Sequence, residues 1–167
     1  MRYLYLLSLL LLIGCRQQPS ELQNLKPVTI TVVNDGSPVD GVLVSLTNKD
    51  PQGAQSNSAV TDSNGTAVVA TTIRTQIAKG AAPGTYIVSF DKTPELPSEL
   101  IPTEAESELP ENVQMDKQRK REDFVEKNRV IPKVLESYRT SPIELSVDKK
   151  IGAQLTVDLA KYKMASP

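Results

Sequence analysis

Val28-Thr-Ile-Thr-Val-Val-Asn-Asp-Gly-Ser-Pro-Val-Asp-Gly-Val-Leu-Val-Ser-Leu-Thr47 is the stretch whose reading decides the fold. Apolar residues alternate through Val28, Ile30 and Val32, the period of a half-buried strand. Asn34-Asp35-Gly36-Ser37 supplies turn residues, and Asp35 and Gly36 tolerate positive φ. Val42, Val44 and Leu46 then alternate in a return strand, so the two runs are expected to pair as a hairpin. Asn48–Ser58 has turn chemistry throughout and reads as an exposed loop. Ala59–Thr61 is a short strand. Asp62 to Gly65 turns into Thr66–Ala70, with Asp62 accepting N–H bonds within its own turn. Ala82-Pro83-Gly84 turns into Thr85–Phe90, where Tyr86, Val88 and Phe90 share a face. Short strands separated by Gly, Asn, Asp and Pro turns predict an all-β sandwich.

The composition agrees. Aromatics are few (Phe 2, Tyr 5, Trp 0), so β-branched residues must build most of the core. Formal charge is −1, or −2 once Arg2 is removed with a leader, and neither value suggests nucleic acid, which calls for a strongly basic face. The chain has no histidine, the commonest general base and metal ligand. Its single cysteine excludes an intramolecular disulfide and a Cys/His zinc site.

Three pieces in order carry a resemblance: Asp35-Gly36-Ser37-Pro38-Val39-Asp40-Gly41-Val42, Thr61-Asp62-Ser63-Asn64-Gly65 and Pro83-Gly84-Thr85-Tyr86. This order resembles carboxypeptidase regulatory-like domains, which are prealbumin-like (transthyretin-like) β-sandwiches. The resemblance implies structural turns at Asp35, Gly36, Asp62, Gly65 and Gly84, with Tyr86 as the aromatic anchor of the core.

After Asp91 the composition changes. From Pro94 to Met115 there are six glutamates and no basic residue, and Asp116–Arg129 carries six basic and four acidic residues. Propensity predicts a helix from about Asn112 to Asn128. Its apolar face, Phe124 and Val125, is thin, and a mobile or extended excursion is the alternative. Val134, Leu135 and Tyr138 suit a short helical turn over one end of the sandwich. Ile143, Leu145 and Val147 then alternate in one strand and Leu155, Val157 and Leu159 in the last, with residues 161–167 as a tail. The expected fold is a seven-stranded antiparallel sandwich of prealbumin/immunoglobulin-like type spanning 28–160, with the charged insertion 94–129 before the last two strands.

The N-terminus sets a location. Met1-Arg2 precedes an apolar run over Leu4–Ile13, too short to span a bilayer and suited to a signal-peptide core. Leu12-Ile13-Gly14-Cys15 resembles the lipobox of bacterial lipoproteins. That resemblance implies cleavage between Gly14 and Cys15, lipidation of Cys15, and a polar tether over 15–27. More than one acyl chain gives stable membrane anchoring. Arg16, rather than aspartate, after the cysteine points to the outer membrane, facing periplasm or surface. Lipobox and sandwich together, with the 130–160 segment, resemble small lipoproteins of planctomycete-type bacteria.

Chemistry is sparse. Tyr138-Arg139-Thr140-Ser141 is superficially similar to the C-terminal motif of 5-hydroxyisourate hydrolases, but Thr140 departs from it and the histidines of that family are missing. A calcium site at Asp62, Ser63 and Asn64, joined by Asp35 or Asp40, competes with plain β-turns, which are favoured because the twelfth position of an EF-hand loop would be Ile73 rather than glutamate. Glu106 with Glu108, and Glu122 with Asp123, are expected in a solvated segment with nothing to shift their pKa values. Lys117–Arg121 suits either anionic lipid or glycan, or a charge run neutralised by the neighbouring glutamates. The expectation is a non-enzymatic envelope protein without metal or cofactor. Its partner would be an envelope protein or glycan, met by the loops Asn48–Ser58 and Thr75–Ala82 and by the 94–129 excursion. A carbohydrate- or nutrient-binding module is the alternative.

Overall fold

The computed structural model describes residue 22, residues 24–50 and residues 56–162. Among these residues ten β segments form two sheets, with one α-helix and several 3-10 turns. In the first sheet β1 (Val28–Asn34) lies between β10 (Ala153–Asp158) on one side and β2 (Ser37–Pro38) with β5 (Thr66–Val68) on the other. The second sheet runs β7 (Gln76–Lys79), β6 (Ala70–Ile73), β4 (Ser56–Val60), β3 (Leu43–Asn48), β8 (Gly84–Asp91), β9 (Glu144–Val147).

Strand alternation places the core as expected. Val28, Ile30 and Val32 from the first sheet and Val42, Val44 and Leu46 from the second are all buried. Tyr86, Val88, Phe90, Ile143, Leu145 and Val147 complete the layer. Tyr86 is the largest fully buried side chain, and its hydroxyl donates to the Ala82 carbonyl at 2.8 Å. The hydrogen bond keeps the phenol oxygen from being buried without a partner. Ile131 and Leu135, around the 3-10 turn Lys133–Leu135, close the core beside β8. Tyr138, expected to help cover that end, is instead 44% exposed.

The pairing departs from the expected hairpin. β1 and β3 lie in different sheets. Asp35 and Gly36, with φ of 53° and 77°, make the tight turn from β1 into β2. Such a turn needs positive φ at both central residues. Pro38 then ends β2, because proline has no N–H to continue a ladder. Val39 still donates to the Val32 carbonyl at 3.0 Å, but Gly41 donates to the Thr61 carbonyl at 2.9 Å and Val42 to Thr61 Oγ1 at 2.9 Å. The chain has crossed to the other sheet.

Five further expectations are corrected. β1 pairs with β10 in parallel, Val28 with Ala153 through Val33 with Asp158, so the sandwich is not wholly antiparallel. The run 66–70 is not one strand: it changes sheet at the buried Val69, leaving β5 on one side and β6 on the other. Thr75–Ala82, read as a loop, contains β7, and β4 begins within Asn48–Ser58. Gly84 is the first residue of β8, paired with Val147, and makes no positive-φ turn. Ten segments in place of seven follow from these breaks.

The direction of β1 gives the sandwich two distinct ends. The chain enters beside Ala81 and Ala153, and Asn34, Gly65 and Asp158 lie at the opposite end. Glycine brackets β1 at both ends. A Cβ on Gly65 would sit 2.4 Å from the Val32 carbonyl oxygen, and one on Gly152 would sit 2.0 Å from that of Pro27. Gly36 has a similar positive φ with open space around it. Gly36→Ala should therefore lose only roughly 1 kcal/mol from left-handed backbone strain. Gly152→Ala should lose at least about 2 kcal/mol more, because β1 must shift. Urea unfolding midpoints measure both, and equal losses would contradict the bracketing of β1.

Candidate functional site

The end at which the chain enters is basic. Lys26 exchanges backbone hydrogen bonds with Ala81 at 2.8 and 3.0 Å, and Ala153 donates to the Pro27 carbonyl at 3.0 Å. Lys26 and Pro27, assigned by sequence to the tether, are thus already part of the fold, and Leu22 before them is buried. Beside them the turn Asp148–Gly152 joins β9 to β10. Asp148 Oδ1 accepts the Lys150 N–H at 2.7 Å and the Ile151 N–H at 3.1 Å. Those two bonds, with help from the nearby Lys26 charge, hold the Asp148 carboxyl below its ordinary range. Its charge is therefore turned onto the backbone, while Lys149, Lys150 and Ile151 are exposed. A shallow depression of about 600 Å³ opens here between Thr85, Ser146, Lys149 and Lys150. Toward the other edge of the same end lie exposed Arg74 and Ile77.

The far end is acidic, and turns use several of its carboxylates. Asp62 Oδ1 accepts the N–H groups of Asn64 at 2.9 Å and Thr66 at 3.0 Å. Asp158 Oδ1 accepts those of Asp35 at 3.0 Å and Ala160 at 3.1 Å. Asp40 and Asp91 are exposed, and Lys92 Nζ donates to the Asp40 carbonyl at 2.7 Å. Asp35, Gly36, Asp62 and Gly65 all sit in the turns expected of them. Among the described residues no group of three or more acidic side chains or other metal ligands converges.

The charged excursion is rooted at this far end. Its helix, α1 (Glu111–Lys127), lies within one residue of the expected bounds and buries none of its side chains. It is held by charge. Glu106, in the 3-10 turn Glu104–Glu108, accepts from Lys117 at 3.0 Å and forms a short ion pair with Arg121. Arg121 Nε also donates to the Leu100 carbonyl at 2.7 Å. Lys117 and Arg121 are four residues apart and share one helix face. Lys120 pairs with Asp116 at 2.8 Å, and Arg129 links Glu126 to Glu136 at the return to the core. The expectation that nothing perturbs the glutamates is thus corrected at Glu106. The Arg121 hydrogen bond first, then that of Lys117, holds its carboxyl below the ordinary range.

Gly14 and Cys15 lie outside the described residues, as do residues 51–55 of the Asn48–Ser58 loop. Tyr138 offers little as a sugar platform, because the Arg139 guanidinium lies over its ring, 5.6 Å from the centroid. Thr140 and Ser141 are spent on the Val134 and Val88 carbonyls, at 2.9 and 2.5 Å. Among the described residues no helix is long and apolar enough to cross a membrane. No family model, no curated protein and no solved structure matches this chain.

The Glu106 clamp has a pH signature. A carboxyl whose folded pKa is depressed stabilises the fold above its unfolded value, about 4.3. That contribution is lost as pH falls through the folded value. Amide-exchange protection of α1, corrected for intrinsic rates, should hold between neutral pH and about 5 and fall below about 4, before the strands lose theirs. Glu106→Gln should show the low protection already at neutral pH. Protection of α1 that is identical in both chains at every pH would contradict the clamp.

Proposed function

We propose that this chain is a non-enzymatic, lipid-anchored protein of the bacterial cell envelope. In this reading, Leu12–Gly14 directs cleavage, Cys15 carries the lipid, and residues 28–160 form a sandwich of the carboxypeptidase regulatory-like, prealbumin type. The observation that carries it is positional. The chain following Cys15 joins the sandwich at one end, beside Ala81 and Gly152, and the charged arm is rooted at the other. An anchor at Cys15 therefore leaves the arm's roots and the acidic far end facing away from the bilayer, where a partner in the envelope can reach them.

The chemistry of the described side chains favours an interaction module over a catalyst. The polar side chains that a catalytic reading would need are engaged in turns, strand edges or ion pairs: Asp62, Asp148, Asp158, Ser141 and Glu106. A glycan-binding role would need open aromatic faces, and the exposed Tyr138 has one ring face covered by Arg139. Arg16 after the cysteine supports placement in the outer membrane.

Detergent phase partitioning of cell envelopes tests the anchor. The wild-type protein should enter the detergent phase with residues 1–14 removed. Cys15→Ser should either keep residues 1–14 or move to the aqueous phase. A Cys15→Ser protein that lacks residues 1–14 and still enters the detergent phase would contradict lipidation at Cys15.

A further inference from the structure

We propose that the entry end of the sandwich is itself a docking surface for an anionic bilayer. Lys26, Lys149 and Lys150 meet lipid headgroups, and Ile151 enters the interface. The inference rests on the anchoring reading and extends it from the tether to the folded domain.

Three observations converge on this surface. Ile151 is the most exposed large apolar residue among those described, at 82%, and the next, Ile77 at 72%, lies toward the same end. An isoleucine at the tip of a five-residue turn is costly to leave in water, and flanking lysines are the residues that accompany an interfacial apolar side chain. The one carboxylate in that turn, Asp148, is folded back onto the N–H groups of Lys150 and Ile151. The basic groups therefore face outward with their countercharge withdrawn. The far end presents Asp35 and Asp91, with Asp62 turned onto its own backbone and Asp40 paired with Lys92 at 3.4 Å, so an anionic surface is drawn to the entry end rather than to the far end.

The reach of the chain brings the two surfaces together. Cys15 lies seven positions before the buried Leu22, a span of at most about 25 Å. A domain held that close has an effective concentration in the millimolar range, so weak attraction is enough to orient it. Each lysine near an anionic surface contributes about fivefold to binding, and three contribute on the order of a hundredfold.

The test uses the chain from residue 15 onward, coupled through Cys15, its only cysteine, to a maleimide lipid. The vesicles contain phosphatidylglycerol, phosphatidylcholine and brominated phosphatidylcholine. The chain has no tryptophan, so Ile151→Trp installs a single fluorophore at the entry end and Val60→Trp one at the far end, where Val60 is 59% exposed. Bromine should quench Ile151→Trp strongly and Val60→Trp weakly. Adding Lys149→Gln and Lys150→Gln should lower the docked-to-undocked ratio about 25-fold, and omission of phosphatidylglycerol, which removes the attraction of all three lysines, on the order of a hundredfold. Equal quenching at both positions, no quenching at Ile151→Trp, or quenching indifferent to the lysines would overturn the proposal. Because the lipid is attached chemically, a negative result removes the docking surface alone. Lipidation in the cell is decided separately by the partitioning of Cys15→Ser.

Discussion

The position of β1 is the constraint on which the rest depends. Every other strand of its sheet pairs with it: β10 in parallel over six residues, β5 and β2 antiparallel on the opposite side. The parallel pair joins residues 28–33 to residues 153–158, nearly the whole length of the domain apart. Closing so long a loop costs entropy that only a well-formed core offsets. Val28, Ile30 and Val32 supply that core from one side, and Val42, Val44 and Leu46 meet them from the other. Gly65 and Gly152 approach the β1 backbone so closely that a side chain at either position would force it to move. A slip by one residue would in any case turn its apolar face to solvent.

Because β1 is fixed in direction, so is the polarity of the molecule. Its first residues emerge beside the Asp148–Gly152 turn, and its last residues meet the acidic turns at Asp35, Asp62 and Asp158. Charge is thus sorted by the topology: basic and apolar at the entry, acidic at the far end. The sorting is achieved partly by hydrogen bonding. Asp148 sits at the basic end without opposing it, since its carboxylate serves the backbone of its own turn. The arm follows a different logic. It has almost no apolar contact to offer, so Glu106 and the Lys117/Arg121 face hold it through charge, which makes it the part of the fold most sensitive to pH and salt.

What was legible in the sequence was local. Alternation placed Tyr86, Val88 and Phe90, and again Ile143, Leu145 and Val147, on the buried face, since a period of two is a property of the strand alone. The turns at Asp35-Gly36 and Asp62–Gly65 were legible because their backbone conformations demand particular residues. Helix propensity placed α1 to within a residue. What was not legible was partnership. Nothing local distinguishes a strand that pairs with its neighbour from one that pairs with the far end of the chain, and Pro38 was the only cue that the first hairpin stops short. The change of sheet at Val69 leaves no composition signal, because a residue between two sheets is as apolar as one within either. Lys149, Lys150 and Ile151 lie between two strands, with nothing in the sequence to mark them as a surface. Their meaning came from lying next to Lys26, which β10 brings about by pairing with β1.

The two ends of the sandwich acquire their proposed roles only if the chain is held at Cys15, so the covalent fate of that residue is decisive. Tandem mass spectrometry of the N-terminal peptide, from protein extracted from its own envelopes, addresses this most directly. Anchoring at Cys15 predicts a peptide that begins at Cys15 and carries a diacylglyceryl thioether on the side-chain sulfur. A peptide that retains residues 1–14, begins downstream of Cys15, or begins there with an unmodified thiol would contradict it.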